Sequence, residues 1–438
     1  MTGNTAKLAL HGGGQQGFGL PRTPQTVDET GLNLLFLVEL VCKILFLNGQ
    51  MRLVDLATQT KLSLGVLEPV MTFMRAEHLA EATRGSETST HITYFLSDAG
   101  RVRAQDYLRK SQYAGPAPVT LQSYNERVRL QSVSKMRVTR ERIAEVFQRI
   151  VLRQSILDQF GTAMNSGRAI FVYGPAGGGK TFIAEHLAGL LTGYPMIPHA
   201  VLVEGEIIQI FDPLMHKPVA MATSSALDRG PSFDSRWTPC HRPVVITGGE
   251  LTLGMLDLDF DESARFYQAP PQVKANNGLL IIDDLGRQLV SPQNLMNRWI
   301  VPLDRRLDYL ALHTGTKFMV PFDVVVIFSS NLAPSTLADE AFLRRLGYKI
   351  YIGELNVDEY RAIFVQTCEA MGVPYFDEGF DFVLNELHRK RGKPLLACIP
   401  RDLLGQVRDY SQFRGVEPRL TPFLLEWAWD NYFARDAK

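Results

Sequence analysis

A glycine-rich octapeptide constrains this chain more than any other stretch. Gly174-Pro175-Ala176-Gly177-Gly178-Gly179-Lys180-Thr181 follows the apolar run Ala169-Ile170-Phe171-Val172-Tyr173. It precedes Phe182-Ile183-Ala184-Glu185-His186-Leu187-Ala188, whose apolar residues recur at helical spacing. Strand, glycine loop and helix, in that order, are the context in which G-x-x-x-x-G-K-[ST] holds phosphate. The glycines let backbone N–H groups turn inward around phosphate oxygens, and the helix N-terminus adds positive partial charge. Lys180 is expected to reach the β- and γ-phosphates of a nucleoside triphosphate, and the Thr181 hydroxyl to ligate Mg²⁺. Phe182, next in line, completes the expected nucleotide-contacting segment.

A loop of this kind needs an open, mostly parallel sheet, and the sequence supplies further strands for one. Leu279-Leu280-Ile281-Ile282 is a continuous apolar run, as expected of a buried parallel strand, and it ends in Asp283-Asp284. Open α/β sheets place ligands at that end of their strands. Asp283 is therefore assigned to Mg²⁺, and Asp284 to orienting or deprotonating an attacking water. Val324-Val325-Val326-Ile327-Phe328 is a second buried strand ending in Ser329-Ser330-Asn331, and the Asn331 amide can bond water or a γ-phosphate. Hairpins are expected over 201–211 and 309–320, and Pro243-Val244-Val245-Ile246-Thr247 is a further apolar run. A short helix closes on Arg344-Arg345, which can simply complement its C-terminus. Beyond residue 356 strands give way to helices over 357–371, 378–390, 401–413 and 422–434, with Arg401 opening the third.

The remaining chain reads as separate units. Residues 1–29 are polar and glycine-rich, and disorder is expected there. Residues 30–111 give three helices, a two-stranded wing around Arg84-Gly85-Ser86-Glu87 and a closing helix, with Ser63 as the cap of the third. Residues 112–139 form a linker with a proline-rich start. From 127 to 153, Arg127, Arg129, Lys135, Arg137, Arg140, Arg142, Arg149 and Arg153 outnumber the acids, either as a solvated face or as a nucleic-acid or subunit contact. An α/β P-loop domain over 140–353 and a helical lid over 354–438 complete the chain. Lysine plus arginine equal aspartate plus glutamate at 46 each, so no global field draws the molecule to nucleic acid or anionic lipid. The four cysteines form no C-x-x-C, and His216 and His241 have no ligand-like spacing, so neither a zinc site nor a disulfide framework is expected. The most apolar run, 32–47, is too short and too polar to span a bilayer. A cytoplasmic location fits all of these features.

The ordered set of P-loop, acid-tipped strand, asparagine-tipped strand, paired arginines and helical lid resembles the AAA+ ATPase family across 140–438. The resemblance implies a parallel α/β core with a C-terminal lid, ATP and Mg²⁺ as ligands, and hydrolysis to ADP between subunits of a ring or helical oligomer. It further implies that Asn331 is sensor 1, that Arg344 or Arg345 is an arginine finger for a neighbouring subunit, and that Arg401 is sensor 2. The 309–320 hairpin is similar to that of the pre-sensor 1 group, which includes MoxR-type chaperones. The family usually carries Asp-Glu where this chain has Asp283-Asp284, and the shorter side chain puts turnover rate in question. Residues 30–111, with Tyr94-Phe95-Leu96-Ser97-Asp98-Ala99-Gly100-Arg101 at the wing-to-helix junction, resemble a winged-helix domain. The combination resembles chaperone-like ATPases linked to Flp/Tad pilus assembly. Three functions stay open: an oligomeric chaperone-like remodeller of a protein partner, a DNA-binding motor or regulator, and a slow-hydrolysing nucleotide switch. Of these the near-neutral third helix of the winged unit favours the first.

Overall fold

Five short strands build the central sheet. We label them β1 (Ala169–Tyr173), β2 (Val244–Thr247), β3 (Leu279–Ile282), β4 (Val325–Ser330) and β5 (Leu346–Tyr351). In this computed structural model, which describes residues 19–83, 92–220, 233–337 and 340–433, they lie side by side as β2-β3-β4-β1-β5, all parallel. Every residue of β3 and β4 is buried, which is why these runs are apolar without alternation. One face packs Ile170, Val172, Ile281 and Ile327 against Ile183 and Leu187. The other packs Phe171, Leu280, Val326 and Phe328 against Leu295 and Trp299. The chain is thus an α/β fold around a parallel sheet. Because β4 lies between β1 and β3, the P-loop, the acid pair and Asn331 emerge from three adjacent strands at one edge of the sheet.

A second five-stranded sheet stands on this core. It runs 259–261, 266–268, 206–209, 200–203, 119–120, and the Ala200–Val203 and Glu206–Gln209 strands form the hairpin expected from sequence. Its outer strand comes from the supposed linker: Val119 and Thr120 pair in parallel with Val201 and Leu202. Tyr124 and Val128, one turn apart on the Leu121–Leu130 helix, bury beside that sheet. Residues 112–139 are therefore built into the fold, because their apolar positions have a sheet to cover. The other expected hairpin is present as Leu307–Ala311 paired with Lys317–Pro321.

At the N-terminal end, helices Leu34–Asn48, Leu53–Thr60, Leu64–Ala76 and Asp98–Lys110 surround a sheet ordered 51–52, 93–96, 80–83. The 84–87 turn lies outside the described residues. Ser63 stands at the N-cap position, but its hydroxyl donates to the Pro24 carbonyl at 2.5 Å and caps nothing. Residues 19–29 depart from the disorder expected of them. They hold a short helix, Val27–Thr30, and the Pro21 carbonyl accepts from the Asp234 N–H at 2.8 Å. Residues 1–18 lie outside the described residues.

Arg236 joins the N-terminal unit to the core. Its buried guanidinium pairs with buried Asp234 at 2.8 Å and donates to the carbonyls of Thr30 and Pro118. Removing one partner of a buried pair strands the other charge, so Arg236→Ala should lower stability by about 3–5 kcal/mol, read as a lower urea midpoint. His199 gives a pH-dependent term in the same region. Its half-buried ring packs on Phe211, and burial, aided by Lys61, pushes its pKa down to about 4. The unfolded chain takes up that proton near the ordinary histidine value, while the folded ring resists until about 4. Stability should therefore be fully present above about pH 6.5 and fall towards pH 4, by up to ~3 kcal/mol before solvent screening reduces it. A urea midpoint that loses less between pH 7.5 and 4.5 in His199→Gln than in the natural protein is the expected result.

The C-terminal segment is helical: Val357–Met371, Asp377–Phe382 running into a π-turn over 383–389, Cys398–Arg414 and Pro422–Tyr432. Asn356 and Glu359 form a reciprocal capping box at its start. Tyr360, Phe364, Phe380 and Trp429 fill its core. Among the described residues, no helix is long and apolar enough to cross a membrane, and no group of three or more His, Cys, Asp or Glu could hold a metal ion. His216 is buried and hydrogen-bonded: Nδ1 accepts from the Asp212 N–H, and Nε2 pairs with the Lys274 carbonyl.

Candidate nucleotide site

β1 ends at Tyr173, and the chain turns through Gly174, Gly177 and Gly179, with φ of 147°, 82° and 87°. L-residues with a Cβ rarely adopt these values. Two of the glycines are also needed for space. A Cβ on Gly174 would sit 1.9 Å from the Ile352 carbonyl oxygen, and one on Gly177 would sit 2.4 Å from the Cys398 sulfur. The helix opens at Lys180, and its first returning bond is Ile183 N–H to the Gly179 carbonyl. The N–H groups of the first turn therefore have no carbonyl one turn back to bond.

Lys180 is buried inside the loop it closes. Its ammonium donates to the carbonyls of Gly174 (3.1 Å) and Pro175 (2.9 Å) and to the Asn331 amide oxygen (2.7 Å). Burial lowers its pKa, and the charges of Asp284 and Asp283 oppose that shift. The Thr181 hydroxyl lies 2.9 Å from both carboxylate oxygens of Asp283. Asp284 takes a left-handed backbone, φ 50°, which aspartate tolerates better than most residues. Its Oδ1 accepts from the Asn331 amide at 3.0 Å. The five side chains form two linked sets at the loop: Asp283 with Thr181, and Lys180 with Asn331 and Asp284.

The other expected site residues are placed differently. Ala176 is exposed at the loop tip, and Gly178 N–H bonds back to the Pro175 carbonyl at 3.3 Å. Phe182 is exposed and its ring meets that of His186 at a tilt of 48°, with centroids 4.1 Å apart. Arg401 is not at the start of its helix, which begins at Cys398. It is largely exposed, pairs with the adjacent Asp402 at 3.4 Å, and has no bond or ion pair with the five-residue set among the described residues. Arg344 and Arg345 lie at the other end of the sheet, just before β5. Arg345 pairs with Asp304 at 2.9 Å, and exposed Arg344 lies 3.8 Å from Glu340. Five of the expected residues are thus joined around the loop, Arg344 and Arg345 stand at the opposite end of the sheet, and Arg401 pairs with its neighbour Asp402.

The contact of the C-terminal helical segment with the loop is not foreseen from sequence. Cys398 N–H donates to the Gly177 carbonyl at 3.0 Å, and Ala397 lies closest to Gly179. The signal is weak: Cys398 sits just before the Ile399-Pro400 pair, which resembles the lead-in to a helix rather than its first turn.

The residues present suit a phosphate anion with a hard divalent cation. The loop is a cradle that a Cβ would fill, its helix has open N–H donors, and Thr181 with Asp283 offers oxygen-only ligands of the kind Mg²⁺ takes.

A family described as "Domain of unknown function (DUF8689)" matches residues 356–431, the helical segment. A search of curated proteins gives no match. Among solved structures, NtrX from Brucella abortus in complex with ADP is similar at 15% identity and a TM-score of 0.39, over 65% of this chain and 56% of that one. The match thus spans little more than half of that NtrX chain. The RuvB Holliday junction branch migration motor of Thermotoga maritima is similar at 14% identity and a TM-score of 0.35, over 67% and 70% of the two chains. Likenesses this loose carry no argument about the chemistry of this chain, which is decided by the geometry of its own loop and strands.

Proposed function

We propose that this chain binds ATP with Mg²⁺ and hydrolyses it to ADP and phosphate, as an AAA+ protein working in a homo-oligomer on a protein partner. One observation carries the reading: Lys180, Thr181, Asp283, Asp284 and Asn331, from three strands, meet at the glycine loop. Lys180 and the first-turn N–H groups would hold the phosphates, and Thr181 with Asp283 would hold Mg²⁺. When bound, the cation supplies charge neutralisation on the phosphate oxygens. Asp284, oriented by Asn331, is the base or water-positioning group. Catalysis here is placement plus charge stabilisation. Arg344 or Arg345 is read as the group a neighbouring copy contributes, and Arg401 as one that reaches the site only after the lid moves.

Two observations favour a protein partner over DNA. The Leu64–Ala76 helix exposes Glu68, Thr72 and Arg75, and its N-terminal end is covered by residues 24–25: a Cβ on Gly65 would sit 2.6 Å from the Gln25 carbonyl oxygen. Four of the eight basic residues from 127 to 153 are also engaged within the chain, while Arg129, Lys135, Arg137 and Arg149 are exposed. Arg127 bonds the Gly19 carbonyl, Arg140 pairs with Asp158, Arg142 with Glu145, and Arg153 with Glu359. We therefore read residues 30–111 as a winged-helix module that contacts protein.

The test is Mg²⁺-dependent phosphate release from ATP by the full chain, alongside duplex binding at low salt. Release without duplex binding is expected. Salt-sensitive duplex binding would move the reading to a DNA motor, because phosphate contacts release counterions. Nucleotide binding without release above the Asp284→Asn level would make the chain a switch.

A further inference from the structure

Four arginines converge where the nucleotide reading placed only two. Arg168 precedes β1, Arg306 follows the Pro292–Arg305 helix, and Arg344 and Arg345 precede β5. All four line one cavity of about 670 Å³, and Asp304 is the only acid in its wall among the described residues. Asp304 pairs with Arg345, and the contact of Arg344 with Glu340 is long and exposed on both sides, so it offsets little. Among the described residues the cavity wall thus sets four arginines against one acid. Arg306 forms its inner wall: one guanidinium nitrogen donates to the Val324 carbonyl at 3.0 Å, and another lies 3.0 Å from where a Cβ on Gly167 would stand. Bare Gly167 leaves that guanidinium room.

The chain's own glycine loop is out of reach. The cavity opens at the start of β1 and the loop leaves from its end, five residues on, or ~16 Å at the strand rise of about 3.3 Å per residue. Any anion these guanidiniums meet is therefore one that the chain's own loop does not hold. Planar donors in this number suit the several oxygens of a phosphate chain better than one carboxylate.

We propose that this cavity is a binding site for di- or triphosphate anions, with Arg168 and Arg306 as constituents beside Arg344 and Arg345. Two sources have this chemistry: a free phosphate compound, or the phosphates of a nucleotide held by the loop of a second copy. The second source rests on the proposed nucleotide function; the site itself does not.

The test uses the full chain carrying Lys180→Ala, so that the glycine loop is disabled, titrated with inorganic pyrophosphate by calorimetry. One saturable site is expected, at least tenfold weaker in Arg168→Gln and in Arg306→Gln, weaker in high salt, and largely retained in Arg168→Lys. Arg168 is exposed, so its substitution should leave the fold intact. Absence of saturable binding at millimolar pyrophosphate, or an affinity indifferent to both glutamine substitutions, would overturn the proposal. A second measurement on the chain with its natural loop separates the sources. If a second copy's nucleotide is the occupant, Arg168→Gln flattens the rise of hydrolysis per chain with protein concentration. If the rise persists while pyrophosphate binding is lost, a free phosphate compound is the occupant.

Discussion

Lys180→Ala should weaken nucleotide binding by about tenfold or more while leaving the chain folded. The ammonium holds three acceptors that belong to the loop and to Asn331, and it sits where a phosphate oxygen would replace them. Charge-assisted bonds contribute about 1.5–3 kcal/mol each, so losing one or two to the anion lowers affinity by roughly 10–10⁴-fold. Alanine leaves the Pro175 and Asn331 acceptors part-buried, where water can reach them, and the buried Gly174 carbonyl without its donor, so the thermal midpoint should fall modestly while the chain stays folded. The check is equilibrium binding of a fluorescent ATP analogue beside a melting curve. Affinity within threefold of the natural protein would mean that the loop is not the nucleotide site.

Asp284→Asn should do the opposite: keep binding and lose turnover. Asparagine is nearly isosteric, and its Oδ1 can still accept from the Asn331 amide, so the 3.0 Å contact survives. Only the negative charge and its basicity disappear. A positioned general base contributes typically ~10²–10⁴-fold, and a fall of that order in phosphate release is expected with nucleotide affinity nearly unchanged. Asp284→Glu keeps the charge but adds a methylene to a side chain launched from a left-handed backbone. It should retain far more turnover than the asparagine variant. Equal loss in both would show that position, rather than charge, is what Asp284 supplies.

These effects trace to features with unequal visibility in the sequence. The glycine loop, the 279–284 strand with its acids and the 324–331 strand with its asparagine are local patterns, because a strand buried on both faces is apolar throughout. Their adjacency is not local. That Asn331 stands between Lys180 and Asp284 depends on β4 inserting between β1 and β3, and its pairing with β1 spans more than a hundred residues. β5 is hard to see because, at the edge of the sheet, it mixes Gly347 and Lys349 with apolar residues. The Asp259–Asp261 and Phe266–Gln268 strands are three residues each, too short to show a period, and only their partners define them. The 112–139 segment resembles a linker because its prolines and charges are conspicuous while Val119, Tyr124 and Val128 are sparse. Arg401 reads as a helix start because Pro400 precedes it, whereas the helix begins at Cys398, where the C-terminal segment touches the glycine loop.

In the proposed function the glycine loop is half of an active site that a second copy completes. Arg344 and Arg345 stand at the far end of the sheet from Lys180, so no single chain brings them together. The most direct measurement mixes two inactive proteins, one carrying Lys180→Ala and the other Arg344→Ala with Arg345→Ala, and follows phosphate release from ATP. In an equal mixture that assembles at random, about a quarter of the interfaces pair an intact loop with intact arginines. Activity should therefore return to about a quarter of the natural level. Mixtures that stay as inactive as their components, at concentrations where the natural protein hydrolyses ATP, would contradict the shared site.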